Sequence, residues 1–300
     1  MIETTEIRAG GFGYTADVDG PADGERVIFL HGFPNSRHSW RAQIAAVAGA
    51  GFRAIAPDQR GYSAGARPQG VDSYHVDLIV GDVIALADAT GADRFHLVGH
   101  DWGGQIAWLT AIAHPERLKT LTVLSRPHPA AFARAFKADA GQASRSRHHK
   151  AFQDPEMADR LLADDAKALR NTLIFENARG LFGQDDGGGP PAKRRMSDET
   201  AAAHLSVLGE RAALDAALNW YRAAFGGGST LAVADAPKVT VPTLYIWGNE
   251  DMSVGRMAAE GTGGFVDAPY AFHEIPGAGH FLAEEVPAKV NAALLRHIGG

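Results

Sequence analysis

Short apolar runs rich in Val, Ile and Leu alternate with longer amphipathic stretches up to about residue 125. Arg26–Leu30 (RVIFL), 52–56 (FRAIA), 95–98 (FHLV) and 121–124 (LTVL) read as buried strands. Each ends in residues that turn the chain: His31-Gly32, Pro57-Asp58, Gly99-His100-Asp101 and Ser125-Arg126-Pro127. Runs that are apolar at consecutive positions fit a parallel sheet covered on both faces. The segments between them, such as 72–90 and 105–113, carry helical spacing. The alternation predicts a doubly wound α/β domain.

The rhythm changes after Arg126. From there to about Ala236 strand signals stop and helix signals dominate. Asp154-Pro155-Glu156 has the form of an N-cap, a first-turn proline and a first-turn acid, and Met157, Leu161, Leu162 and Leu169 follow. Leu214, Leu218, Tyr221 and Phe225 trace a second helical stripe, closed by Gly226-Gly227-Gly228. Between the two, residues 187–191 (GGGPP) read as a surface loop. Strands return at 243–247 (TLYIW) and 272–275 (FHEI). The expected organisation is a core of 1–125 and 237–300 interrupted by a helical insert, 126–236.

Composition narrows the function. The 300 residues can bury a substantial core without disulfides. With 45% hydrophobic and 21% charged residues the chain has the make-up of a soluble globular protein. A formal net charge of -6 gives no basic surplus for nucleic acid or an anionic membrane. Zero cysteines exclude disulfides, thiolate metal sites and a cysteine nucleophile. MIETTEIRAGG lacks the pattern of a signal peptide, and no apolar run approaches a membrane span, so the expected address is cytoplasmic.

Val98-Gly99-His100-Asp101-Trp102-Gly103-Gly104 joins an expected strand to an expected helix. This is the shape of a nucleophile elbow, G-x-Nu-x-G, with Asp where lipases and esterases carry Ser. Neither phosphate-loop pattern, G-x-G-x-x-G or G-x-x-x-x-G-K-[ST], is present. A carboxylate is ionised at neutral pH and needs no base to attack an sp3 carbon bearing a strained or good leaving group. The resulting alkyl ester needs a histidine to activate water and an acid to orient that histidine. Any one of the 13 histidines, taken alone, reads as structural or exposed. His280, in Pro276-Gly277-Ala278-Gly279-His280-Phe281, follows the last strand and precedes the last helix. Asp251, in Trp247-Gly248-Asn249-Glu250-Asp251, follows the strand before it and is the expected acid, with Glu250 as the fallback. No carboxylate stands in Leu124-Ser125-Arg126, the other place for an acid. The backbone N–H groups of Phe33, after His31-Gly32, and of Trp102 are the candidate oxyanion donors.

With these residues in view, the chain resembles the epoxide hydrolase branch of the α/β-hydrolases. The resemblance runs through HGFPNSRHSW, PDQRGYS, VGHDWGG, LNWYR, YIWGNED and GAGH, in the family's order. It implies a mostly parallel central sheet flanked by helices, with a helical cap domain. It implies two cap residues, usually tyrosines, that hydrogen-bond the epoxide oxygen. Tyr221 matches the second through LNWYR, although on spacing alone it reads as a core aromatic. The position of the first is filled by His148, five residues before Gln153, where the family usually has Tyr. A solvated basic helix face is the competing reading of Arg145-Ser146-Arg147-His148-His149-Lys150, and both stay open. Adjacent histidines point apart on a helix, and no H-E-x-x-H occurs, which argues against a metal.

The expected function is hydrolysis of an epoxide to a vicinal diol, with a small hydrophobic epoxide and water as partners and neither cofactor nor metal. A homodimer is left open. A haloalkane-type dehalogenase shares the nucleophile and base: Trp102 fits halide binding there, but Phe33 stands where many have Asn. Fluoroacetate dehalogenases clamp a carboxylate with arginines after the nucleophile, where this chain has Trp102 and Gln105. Fold alone would also allow a non-catalytic binding protein. The presence of Asp101, Asp251 and His280 together argues against it.

Overall fold

The computed structural model describes residues 1–175, 193–226 and 236–300, apart from the side chains of Phe225 and Gly226. The 187–191 loop and glycines 227 and 228 lie outside the described residues, as does the Phe225 end of its stripe. Eight strands form one sheet: β1 (Glu3–Ala9), β2 (Phe12–Asp19), β3 (Arg26–Leu30), β4 (Arg53–Pro57), β5 (Phe95–His100), β6 (Leu118–Leu124), β7 (Thr243–Gly248) and β8 (Tyr270–Ile275). Their spatial order is β1-β2-β4-β3-β5-β6-β7-β8. β1 pairs with β2, and β2 with β4, antiparallel; the other pairings are parallel.

Consecutive apolar positions follow from burial on both faces. Along β3, Ile28 and Leu30 join one core cluster while Val27 and Phe29 join the other. β7 repeats the division, with Tyr245 and Trp247 on the first side and Leu244 and Ile246 on the second. Side chains alternate across a strand, so a strand with no wet face must be apolar throughout. The second face is covered by α1 (Arg41–Gly49) and α10 (Pro287–Ile298), through Ile44, Val47, Val290 and Leu294. The first is covered by α2 (Val76–Ala89) and α3 (Trp102–Ala113), through Ile79, Val83, Ile106 and Leu109.

Between β6 and β7 the described residues form α4 (Pro129–Ala138), α5 (Ala140–Arg145), α6 (His148–Ala151), α7 (Met157–Phe175), α8 (Asp198–Leu208) and α9 (Arg211–Gly226). Leu161, Leu169, Leu214 and Leu218 join the same cluster as α2 and α3, so these helices share a core with the sheet. α7 breaks at 163–166, where Asp164, Asp165 and Ala166 take positive φ. It also starts later than its N-cap signal: Asp154 Oδ1 accepts from Glu156 N at 2.9 Å in a turn that precedes Met157. No described helix is long and apolar enough to cross a membrane. The sequence signals pass over β1 and β2, where polar and small residues dilute the pattern of a half-exposed antiparallel edge.

Backbone packing is close where β3 meets α3. A Cβ on Gly103 would stand 2.1 Å from the Leu30 carbonyl oxygen. Gly49, at the exposed end of α1, has open space around it. We expect Gly103→Ala to lower unfolding free energy by at least ~2 kcal/mol through overpacking. Gly49→Ala should raise it by about 0.5 kcal/mol through the unfolded chain's entropy. Urea midpoints check both, and an unchanged midpoint for the first would show that the contact is not a constraint.

Candidate active site

The carboxyl ends of the parallel strands share one edge. Leu30 pairs with Gly99, His100 with Leu124, Leu124 with Ile246, and Gly248 with Ile275. The segments leaving that edge therefore converge, as they do at ligand sites of open α/β sheets. Asp101 follows β5 with φ 50° and ψ -118°, a sparsely populated conformation for a residue with a side chain. A Cβ on Gly32 would lie 2.4 Å from the Asp101 Cβ, so the two loops meet only because position 32 has no side chain.

The Asp101 carboxylate accepts the Phe33 N–H on Oδ1 at 2.9 Å, and Oδ2 lies 3.7 Å from His280 Nε2. On the far side of the ring, His280 Nδ1 is 3.0 and 3.1 Å from the two oxygens of Asp251. An ionised carboxylate only accepts, so Nδ1 carries a proton. Asp251 Oδ1 also accepts the backbone N–H groups of Ser253 (2.7 Å) and Val254 (3.0 Å). Glu250 faces away, paired with Arg195 at 2.6 Å.

Burial opposes charge on Asp101, but the hydrogen bond and charge of His280 and the Phe33 N–H outweigh it. Its pKa falls well below the usual carboxylate range. Burial opposes charge on His280 as well, yet the Asp251 and Asp101 carboxylates raise its pKa well above the ordinary value. In the resting state an imidazolium thus stands between two carboxylates.

Above Asp101 a cavity of about 30 Å3 is bounded by Phe33, His148, Phe152, Tyr221 and His280. Tyr221 is packed edge-on against Phe152 (4.8 Å), Trp102 (5.0 Å) and Phe33 (5.6 Å). It is therefore a core aromatic and a cavity wall at once. Burial, then the Asp101 charge, raises its pKa well above that of a free phenol, so the hydroxyl keeps its proton. His148 and His149 are half-buried, unlike a solvated face. His148 borders this cavity and His149 the neighbouring one. His148 Nδ1 lies 3.1 Å from the Arg145 carbonyl, which makes Nδ1 the donor. Burial lowers its pKa to about 4, so the neutral ring offers an acceptor at Nε2.

Several supporting residues escaped the sequence signals. Ser125 Oγ and His100 Nε2 each donate to the His280 carbonyl at 2.9 Å. From α5, Gln142 donates to the Ser253 carbonyl (2.8 Å) and accepts from Gly255 N (2.8 Å), while Arg145 donates to the Asp251 carbonyl (3.1 Å). Their partners are backbone atoms of a loop more than a hundred positions away, which no motif records. Among the described residues, no cluster of three or more His, Asp or Glu is arranged to hold a metal ion.

The sequence pattern of the alpha/beta hydrolase fold family matches residues 25–287. Epoxide hydrolase A of Mycobacterium tuberculosis is 33% identical over 302 residues, covering 91% of this chain and 90% of that protein. Epoxide hydrolase 4 of Mus musculus is 32% identical, covering 91% of this chain and 74% of the relative. The crystal structure of epoxide hydrolase A from Mycobacterium thermoresistibile superposes with a TM-score of 0.85 at 27% identity, covering 100% of this chain and 99% of that one.

If the Asp251 charge holds His280 protonated, Asp251→Asn should lower the His280 pKa. Following the imidazole nitrogens by NMR across pH tests this. An unmoved midpoint would mean that Asp251 orients the ring without setting its charge.

Proposed function

The chain belongs to the alpha/beta hydrolase fold family, and we propose that within it the chain is an epoxide hydrolase that makes a vicinal diol through an ester on Asp101. The observation that carries this reading is an ionised carboxylate held by the Phe33 N–H and faced by His280, under a cavity that Tyr221 borders. Asp101 attacks a ring carbon of the epoxide and the C–O bond breaks. The Tyr221 hydroxyl donates to the oxygen as it becomes an alkoxide. His148, with its proton on Nδ1, supplies an acceptor rather than a second donor in this arrangement.

Ester formation consumes the Asp101 charge. His280 then loses one of the two carboxylates that raise its pKa, and keeps Asp251. The Nε2 proton of the imidazolium then passes by way of solvent to the alkoxide, and the neutral ring takes a proton from water at Nε2 as hydroxide adds to the Asp101 carbonyl carbon. The Phe33 and Trp102 N–H groups stabilise the oxyanion. Collapse expels the diol, which takes its proton from His280, and the Asp101 carboxyl proton passes to the ring, restoring carboxylate and imidazolium. Residues 126–236 act as the cap over a core of 1–125 and 237–300, with epoxide and water as the only reactants.

The decisive experiment is intact-protein mass spectrometry of His280→Gln incubated separately with epoxides and haloalkanes. An adduct of the full epoxide mass on Asp101 is the expected result. An adduct of the alkyl group alone, from a haloalkane, would replace the reading by dehalogenation. No adduct from either set would favour a binding protein.

Two kinetic outcomes follow from the geometry. Tyr221→Phe should lower the ester-forming rate by ~100-fold or more, the usual effect of deleting one transition-state donor. His148→Gln should cost far less, and equal losses would give His148 a donor's part. Ester formation needs ionised Asp101, whose pKa is depressed, so it persists on acidification. Water activation needs neutral His280, whose pKa Asp251 keeps raised, so it fails as pH drops. The ester should therefore accumulate at mildly acidic pH in rapid-quench mass spectra; a pH-independent ester level would contradict the assigned base.

A further inference from the structure

A cavity of about 990 Å3 adjoins the site beneath α4 to α6, with Trp102, Gln105, Arg126, Phe132, Phe136 and Met157 in its wall. Its size suits a small organic ligand, and most of these wall residues are apolar. Its charge runs against that of the whole chain. Arg126, Lys137, Arg147, Lys150 and Arg160 border it with a single acid, Asp154, although the chain carries net -6. That acid is already engaged by Arg160 at 2.9 Å.

Arg126 is the one of these cations set deep beside the nucleophile. A Cβ on Gly104 would stand 2.7 Å from the Arg126 Cβ. Gly104 lies three residues past Asp101, less than one turn or about 4.5 Å along the helix. The Arg126 stem thus begins next to the first turn of α3, and its guanidinium acts on Asp101, Tyr221, His148 and His149. Among the described residues it makes one side-chain hydrogen bond, Nε to Gln105 Oε1 at 2.9 Å, and no ion pair. The Phe132 ring lies under it at 4.4 Å.

The Arg126 guanidinium is half-buried and has no bonded carboxylate among the described residues, and burial pushes its pKa down. Gln105 and Phe132 fix its plane without neutralising it. With Nε committed, the two Nη groups are left as parallel donors, the fork that matches a carboxylate. Position 105, where an arginine clamp would stand in fluoroacetate dehalogenases, here orients an arginine from the segment that follows β6.

We propose that Arg126, held by Gln105 and Phe132, binds a carboxylate on the substrate, so that the preferred substrates are epoxides bearing a carboxylate at the end of an apolar chain. The chain lies in the large cavity and the oxirane reaches Asp101. The inference rests on the epoxide hydrolase reading and names its substrate class.

The test compares ω-epoxyalkanoates of graded length with their methyl esters. At the best length, wild-type kcat/KM should favour the acid by ~10-fold or more, as expected for a charge-assisted hydrogen bond. Arg126→Gln should abolish that ratio mainly through KM, and Arg126→Lys should retain part of it. A measurement on wild type alone guards against misfolded variants: saturated alkanoates should inhibit competitively, more strongly than the matching alcohols, and less so as salt rises. A wild-type acid-to-ester ratio of one or below at every length, or a ratio untouched in Arg126→Gln, overturns the proposal. If the esters still load Asp101 in His280→Gln, only the role of Arg126 falls. If neither acid nor ester loads Asp101 there, the reaction class falls with it.

Discussion

The turn at Asp101 is where strand, helix and chemistry are forced together. A backbone at φ 50° would relax if its neighbours allowed it, but they are packed to contact. A side chain at Gly99 would meet the Gly103 carbonyl oxygen at 2.4 Å, and one at Gly32 would meet Asp101 itself. These close approaches lift one carboxylate above the sheet edge, where the Phe33 N–H donates to the oxygen turned away from His280. Because β3, β5, β6, β7 and β8 end in register, the loops carrying Phe33, Arg126, Asp251 and His280 reach that carboxylate without long excursions.

Placement of charge then sets the order of events. Asp101 and His280 stabilise each other's charged forms, so in the proposed reaction the carboxylate is ready as nucleophile before the imidazole can serve as base. An ester on Asp101 would cancel one side of that balance and release the ring for its second duty. The helices between β6 and β7 take part from a distance. Gln142 and Arg145 of α5 tie down the backbone around Asp251, so the same short helix that precedes His148 also steadies the acid.

Much of this was legible in the chain. The two-faced apolar runs at β3, β5, β6 and β7 follow from burial on both sides and need no partner to be recognised. Asp101, Asp251 and His280 stand at strand ends, where spacing from an apolar run locates them. The antiparallel edge was not legible, because β1 is ETTEIRA, with only Ile7 and Ala9 apolar, in a strand that is mostly exposed. The break in α7 was not legible either, since Asp164, Asp165 and Ala166 take positive φ with no glycine or proline among them to mark it. Arg126 was visible only as the absence of an acid after β6. Its meaning depends on Gln105 and Phe132, which reach it from α3 and α4.

The division of the space above the sheet follows from one aromatic contact. Trp102 and Tyr221 meet edge-on at 5.0 Å, with Tyr221 on the small cavity over Asp101 and Trp102 on the large one beyond. The His148 and His149 rings meet edge-on at 4.4 Å, one bordering the small cavity and the other the large one. In the proposed reaction the groups that touch the reacting bond are set by the core and by Tyr221, and those that would meet the rest of the substrate come from α4 to α7, together with Gln105 and Arg126. Exchange of side chains in those helices can reshape recognition while leaving the elbow and its charge balance intact, because the two sets share little beyond the Trp102–Tyr221 wall. Arg126 is the exception that links them, since its stem packs on the first turn of α3 and its guanidinium faces the cavity.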